Sequence, residues 1–153
     1  VTWDDASRLI QQWGGPFVIK GVLTSEDAKR AREIGATALM ISNHGGRQMD
    51  GVPAAIDCLE PIRDAVGSDM ELILDGGIRR GTHMLKALAL GANAVSIGKA
   101  YLYGLAAGGQ KGVELVLQIL KNELERDMAL MGCGTIQELS KEYVKHRYNR
   151  SIP

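Results

Sequence analysis

Cysteine is scarce in this chain: Cys58 and Cys133 are the only two in 153 residues. That is too few for a disulfide framework, and neither has the partners a zinc site needs. Both read as buried structural thiols of a reducing compartment, so a cytoplasmic protein is expected. An excess of one charge is lacking too, since 18 Lys and Arg balance 18 Asp and Glu with no long single-sign block. Bulk attraction to a polyanion is thereby excluded, and no nucleic-acid partner is expected. No apolar run reaches the ~18 residues that a bilayer-spanning helix requires, so no membrane span is expected. Aromatics are sparse, with a single Phe, whereas glycine is abundant at 19. So much glycine implies many tight turns, or backbone that must come close to something. With 45% apolar and 24% charged residues, a chain of this length fits one domain that buries about 70% of its unfolded surface.

Short apolar runs alternate with stretches of helical period, the pattern of parallel β/α units whose strands are buried on both faces. The strands read as Phe17-Val18-Ile19-Lys20, Ala38-Leu39-Met40-Ile41-Ser42, Glu71-Leu72-Ile73-Leu74-Asp75 and Ala94-Val95-Ser96-Ile97. Helices are expected over 25–34, 54–66 and 80–90, after an opening helix over 3–13 that Thr2 and Asp5 cap reciprocally. The segment Ala31 to Leu39 resembles Ala87 to Val95, with Gly35 and Gly91 ending helices before tight turns into strands. Val113, Val116, Leu117, Leu120, Leu124, Met128 and Met131 then recur at helical spacing, predicting a long packing helix from near 112. Its polar face mixes Lys121 with Glu123, Glu125 and Asp127, which disfavours a membrane-surface helix. Gly132 and Gly134 stop it, Thr135 and Glu138 suggest a capping box for a short terminal helix, and residues 145–153 form a polar tail. The domain is expected to span 1–144.

Four β/α units are half of the eight in a closed (β/α)8 barrel, which takes about 250 residues. The outer strands would leave open edges, and Val18, Met40, Ile73 and Val95 would point at water unless covered. Cover is expected from another half-barrel or from a second copy in a homo-oligomer.

The chemistry-bearing residues fall where the strands end, on the loops that lead into helices. Gly76-Gly77 and Gly98 offer bare backbone beside Arg79, Arg80 and Lys99, a phosphate cradle in the making. Asp75 would repel a phosphate and is better suited to a ligand hydroxyl. His44 and Arg47 flank Gly45-Gly46, so that both side chains can face one small cavity; histidine can take a proton and arginine can grip a carboxylate. His83 and His146 read as bystanders.

The block Ser42-Asn43-His44-Gly45-Gly46-Arg47-Gln48 resembles the active-site signature of the FMN-dependent α-hydroxy-acid oxidising family, which includes glycolate oxidase, L-lactate dehydrogenase and mandelate dehydrogenase. Phe17 to Val22, Leu74 to Gly81 and Tyr101 to Ala106 resemble further blocks of that family in the same order. The resemblance covers nearly the whole chain and only the C-terminal half of the family's barrel. It implies the C-terminal half of a TIM barrel, FMN as cofactor and a small 2-hydroxy acid of the lactate, glycolate or mandelate type as substrate. His44 would be the base, Arg47 the carboxylate binder, and Lys20 the cation that stabilises reduced flavin. Ser42 would touch the ring edge, Asp75 the ribityl chain, and Gly76, Gly77, Arg79, Gly98 and Lys99 the phosphate region. Lys99 departs from the family's usual arginine, keeping the charge but losing the planar fork. The N-terminal half, with its remaining flavin contacts and the carboxylate that orients the histidine, has no counterpart, and peripheral membrane association would come through that half. Two alternatives stay open: an isolated, non-catalytic half that binds phosphate or FMN weakly, and another phosphate-binding barrel such as an inosine-monophosphate dehydrogenase or a type 2 isopentenyl diphosphate isomerase.

Overall fold

Parallel strands need crossovers, and here each crossover is a helix. In the computed structural model, which describes residues 1–146, β1 (Val18–Val22), β2 (Ala38–Ser42), β3 (Glu71–Asp75) and β4 (Ala94–Ser96) form one parallel sheet in chain order. Helix α1 (Trp3–Trp13) precedes the sheet, α2 (Ser25–Glu33), α3 (Ala55–Val66) and α4 (Gly81–Ala89) connect the strands, and α5 (Lys99–Leu130) follows. The α1 capping box forms as its sequence predicts: Thr2 Oγ1 accepts the Asp5 N–H at 3.2 Å, and Asp5 Oδ2 accepts the Thr2 N–H at 2.9 Å.

Strand register sorts the side chains into two faces. Leu39 and Leu72 lie side by side on the helix-covered face, and Ile41, Leu74 and Val95 form the next row. Against them pack Leu59, Ile62 and Val66 of α3 with Ala28 and Ala31 of α2, all 0–1% exposed. The opposite face carries the rows Val18, Ala38, Glu71; then Lys20, Met40, Ile73, Ala94; then Ser42, Asp75, Ser96. Val95 therefore corrects the expectation that it points at water: it packs on the helix-side core, while Val18 is 44% exposed.

Helix α5 begins at Lys99 rather than near 112. Its glycines hid the start, because Gly104, Gly108, Gly109 and Gly112 interrupt the apolar period. The helix folds back at Gly108 and at Gly109, whose φ is 58°, and the two arms cross where Gly104 meets Gly112. A Cβ on Gly104 would stand 2.6 Å from the Gly112 carbonyl oxygen, so this crossing tolerates no side chain. Leu117, expected to pack, is 50% exposed, while Leu120 and Met128 are buried. The terminal helix is replaced by two 3-10 turns, Ile136–Glu138 and Lys141–Tyr143. Glu138 takes the Gly134 N–H (2.8 Å) and the Thr135 hydroxyl (3.1 Å), but Thr135 returns no bond to the helix, so only half of a capping box exists. Cys58 and Cys133 are buried free thiols, as expected, and burial followed by the Asp57 charge pushes the Cys58 thiol up. Among the described residues no helix is long and apolar enough to cross a membrane. The predicted tail lies outside the described residues from 147 on.

Candidate active site at the strand ends

The last row of the open face is polar, and its members hold one another. Ser42 is fully buried and donates its hydroxyl to Asp75 Oδ2 at 2.6 Å. Lys20 Nζ reaches the same oxygen from β1 at 3.3 Å, and Ser96 adds a further hydrogen bond to the carboxylate. Burial pushes the Asp75 carboxyl up, yet the hydrogen bonds from Ser42, Ser96 and Lys20 and the Lys20 charge outweigh it and hold the group below its ordinary value. Asp75 is thus an ionised anchor for Lys20. Ser96 was not singled out from sequence, although its place opposite Asp75 at a strand end is the signal that finds it.

His44 follows immediately in the chain with φ 54°, the one described residue other than glycine in the left-handed region. Three bonds support that strained turn: the His44 N–H donates to Ser42 Oγ at 3.0 Å, Asn43 Oδ1 takes the Gly45 N–H at 3.0 Å, and Asn43 Nδ2 donates to the Pro53 carbonyl at 3.2 Å. Ser42, expected at the ring edge, has no exposed surface; what it does here is tie the His44 peptide to Asp75. The His44 ring stands over a bulge in β1. Strand register slips between Lys20 and Val22, and a Cβ on Gly21 (φ 97°) would lie 2.9 Å from His44 Nε2. The strand end that carries Lys20 therefore also carries the floor under the imidazole. Arg47 closes the same turn, and its guanidinium has no partner among the described residues. His44 and Arg47 are both exposed, so the small cavity expected around them is an open shelf. Four strands build only one side of a barrel mouth.

Gly76 (φ 112°) and Gly77 (φ 75°) turn the chain out of β3, and nothing lies within 4 Å of where a Cβ on Gly77 or on Gly98 would be. Gly98 precedes Lys99, the first residue of α5. The exposed side chains of Arg79 and Lys99 have no ion-pair partner among the described residues. Arg80 does, which corrects its place in the cradle: its Nη2 lies 2.8 Å from Glu123 Oε1 and its Nε donates to Oε2 at 3.0 Å. Oε2 also accepts the Gly81 N–H at 2.7 Å, so a carboxylate from α5 already occupies the start of α4. The Arg80 hydrogen bond, then the Gly81 N–H, hold Glu123 below the usual carboxylate range. His83 was read as a bystander, yet its Nδ1 lies 3.2 Å from the Arg79 N and 3.1 Å from the Gly77 O.

A family model described as FMN-dependent dehydrogenase matches residues 1–146. This chain belongs to the FMN-dependent dehydrogenase family. The resemblance read from the sequence blocks is borne out at that level. The chain is 57% identical over 133 residues to the pre-mycofactocin synthase of Mycolicibacterium smegmatis, covering 87% of this chain and 33% of that protein. It is 50% identical over 144 residues to the L-lactate oxidase of a Nostoc species, covering 94% and 40%. Among solved structures, the monotopic membrane protein (S)-mandelate dehydrogenase superposes with a TM-score of 0.91 at 41% identity, over 95% of this chain and 38% of that one. The chain thus spans well under half the length of these relatives, and the stretch it matches is the C-terminal part of their TIM barrel. FMN is the family's cofactor, and the rim fits it: bare glycine backbone with two cations that have no ion-pair partner among the described residues suits a phosphate, and a lysine held by an ionised aspartate suits a ring that gains negative charge.

Proposed function

We propose that this chain supplies the catalytic loop and the phosphate site for FMN-dependent oxidation of a 2-hydroxy acid to the 2-oxo acid. The observation that carries the reading is the stacking of His44 Nε2 over Gly21, the residue next to Lys20. A base and a flavin-facing cation are thereby kept on one strand end. FMN, when bound, supplies the two-electron acceptor. Lys20 would present its ammonium to the flavin ring, where a cation offsets negative charge, and Asp75, paired with it at 3.3 Å, keeps that ammonium at the rim. His44 Nε2 gathers the proton released by the hydroxy acid, and Arg47 grips the acid's carboxylate through two parallel hydrogen bonds. Gly76, Gly77, Arg79, Gly98 and Lys99 receive the phosphate, and Asp75 keeps acceptor capacity for a ribityl hydroxyl.

The exposed face around Val18 and the open edges of β1 and β4 call for cover. An N-terminal half-barrel restores a complete site; a second copy would cover the apolar face but set two His44 loops against each other. Alone, the 153 residues would act as a weak FMN or phosphate binder. The deciding experiment mixes the chain with the N-terminal portion of the Nostoc lactate oxidase and follows loss of flavin absorbance on adding lactate, glycolate or mandelate. Reduction that His44→Gln abolishes while FMN stays bound supports the proposal. Near-normal reduction by His44→Gln sinks it.

A second reading rests on the identities themselves: 57% and 54% to pre-mycofactocin synthases against 50% to the lactate oxidase. On that reading the rim serves formation of pre-mycofactocin. Flavin reduction by none of the three hydroxy acids, with turnover when the chain replaces its counterpart segment in the M. smegmatis synthase, would favour it.

A further inference from the structure

His83 sits at the third position of α4, from which a side chain can reach back over the helix start, as the acidic member of a capping box does. Glu123 holds the neighbouring N–H of Gly81, the first residue of the helix. His83 reaches further, to the loop itself: one nitrogen, Nδ1, stands 3.1 Å from the Gly77 oxygen and 3.2 Å from the Arg79 nitrogen. These are the two ends of the turn that carries the proposed phosphate site.

A ring nitrogen either carries a proton or offers a lone pair, so Nδ1 serves one of these partners at a time. Bare, it accepts the Arg79 N–H; protonated, it donates to the Gly77 carbonyl. A phosphate in this turn competes for the first of those groups, since a backbone N–H at a glycine turn is what phosphate oxygens seek. We propose that His83 is a positioning residue for the FMN-phosphate loop, holding the Arg79 N–H when the loop is empty and passing to the Gly77 carbonyl when phosphate takes that N–H. The proton balance is simple: Nδ1 gains a proton from solvent while Nε2, on a half-exposed ring, can return its own. The loop stays pinned in both states, and the freed N–H is presented only when there is an anion to take it. This inference rests on the reading that the phosphate lodges at Gly77, Arg79 and Lys99.

Nitrogen-15 NMR of the 153-residue chain tests it directly. Adding FMN, or inorganic phosphate as the minimal probe, should convert His83 Nδ1 from unprotonated to protonated and shift the Arg79 amide; riboflavin, which lacks the phosphate, should do neither. An unprotonated Nδ1 with FMN bound overturns the proposal. His83→Leu should weaken FMN about three- to tenfold, the loss expected of one hydrogen bond, and leave riboflavin binding unchanged. His83→Asn, whose amide stands at the Nδ1 position and can donate or accept, should restore most of the loss. Equal losses for FMN and riboflavin, or no rescue by Asn, overturn the proposal. The spectroscopic arm needs no variant, so a misfolded His83→Leu leaves it intact. Arg79→Ala and Lys99→Ala examine the underlying site: if neither changes the FMN-to-riboflavin affinity ratio, or if no probe moves the Arg79 amide, the phosphate reading fails. A ratio that responds to both cations and ignores His83 overturns the His83 role alone.

Discussion

The Ser42 hydroxyl lies 2.6 Å from Asp75 Oδ2 and at the same time receives the His44 N–H at 3.0 Å, so one buried side chain joins the Asp75 carboxylate to the His44 loop. Ser42→Ala removes both bonds from a site without exposed surface. The His44 peptide is left unpartnered in a left-handed turn, and Asp75 loses the Ser42 hydroxyl. A stability loss of about 1–3 kcal/mol is expected from urea unfolding, together with an Asp75 carboxyl that titrates closer to its ordinary value by NMR. Unchanged Asp75 titration would show that Lys20 and Ser96 alone hold the carboxylate.

The Asp75 shift also fixes the sign of a pH dependence. Its folded-state value is lowered, so the group contributes stability that is present above the unfolded carboxylate value and is lost as pH falls through the folded one. Asp75→Asn should therefore flatten the acid limb of the stability curve below about pH 4, while making the protein less stable at neutrality. The check is a pair of urea midpoints measured from neutral pH into acid. An acid limb equally steep in the variant would assign that limb to other carboxylates.

Much of this architecture was legible because local signals and global fold agree. Thr2 with Asp5 announces α1, the apolar runs announce β2 and β3 to the residue, and the loop glycines mark the functional edge. What escaped reading depends on contacts between distant residues. Arg63 looks like an ordinary surface cation of α3, yet its guanidinium holds the carbonyls of Gly67, Met70 and Gly91 and the Asn93 side chain, tying two turns together at the end of the sheet opposite the site. The glycines of α5 read as a break when they are a crossing, and Val95 read as pointing at water because so short a strand gives too little alternation to assign a face. In the site, motif spacing pointed to His44, Lys20 and Asp75, but Ser96 and His83 enter only through register and a helix-start reach.

Gly21 carries two separable demands. Its φ of 97° disfavours any side chain, and a Cβ would approach His44 Nε2 to 2.9 Å. Gly21→Ala should cost about 1–3 kcal/mol through backbone strain and should also displace the imidazole. In a His44→Ala background only the strain remains, so a double-mutant cycle by urea unfolding should show coupling of about 0.5 kcal/mol or more. No coupling would mean that the ring moves aside freely, and the bulge then sets no position for the imidazole.

Arg79 and Arg80 are neighbours in sequence with opposite assignments, which gives the sharpest test of the rim. Arg80 is engaged twice by Glu123, whose carboxylate also takes the Gly81 N–H, and Gly81 packs so closely on α5 that a Cβ would lie 2.5 Å from the Glu123 Cβ. Arg80 thus clamps α5 to the start of α4, and its charge is already matched. Arg79 is exposed, with no ion-pair partner among the described residues, beside the open backbone of Gly77. Arg80→Ala and Glu123→Ala should lower the melting temperature while leaving the ratio of FMN to riboflavin affinity near that of the parent chain. Arg79→Ala should leave melting nearly unchanged and reduce that ratio about tenfold, the loss of a charge-assisted contact to phosphate. The alternative, in which both arginines face the phosphate, requires Arg80→Ala to reduce the ratio as well. Thermal melts and flavin titrations on the same three variants separate the two arrangements, because a clamp acts on stability whether or not phosphate is present, whereas a phosphate ligand acts only on the flavin that carries one.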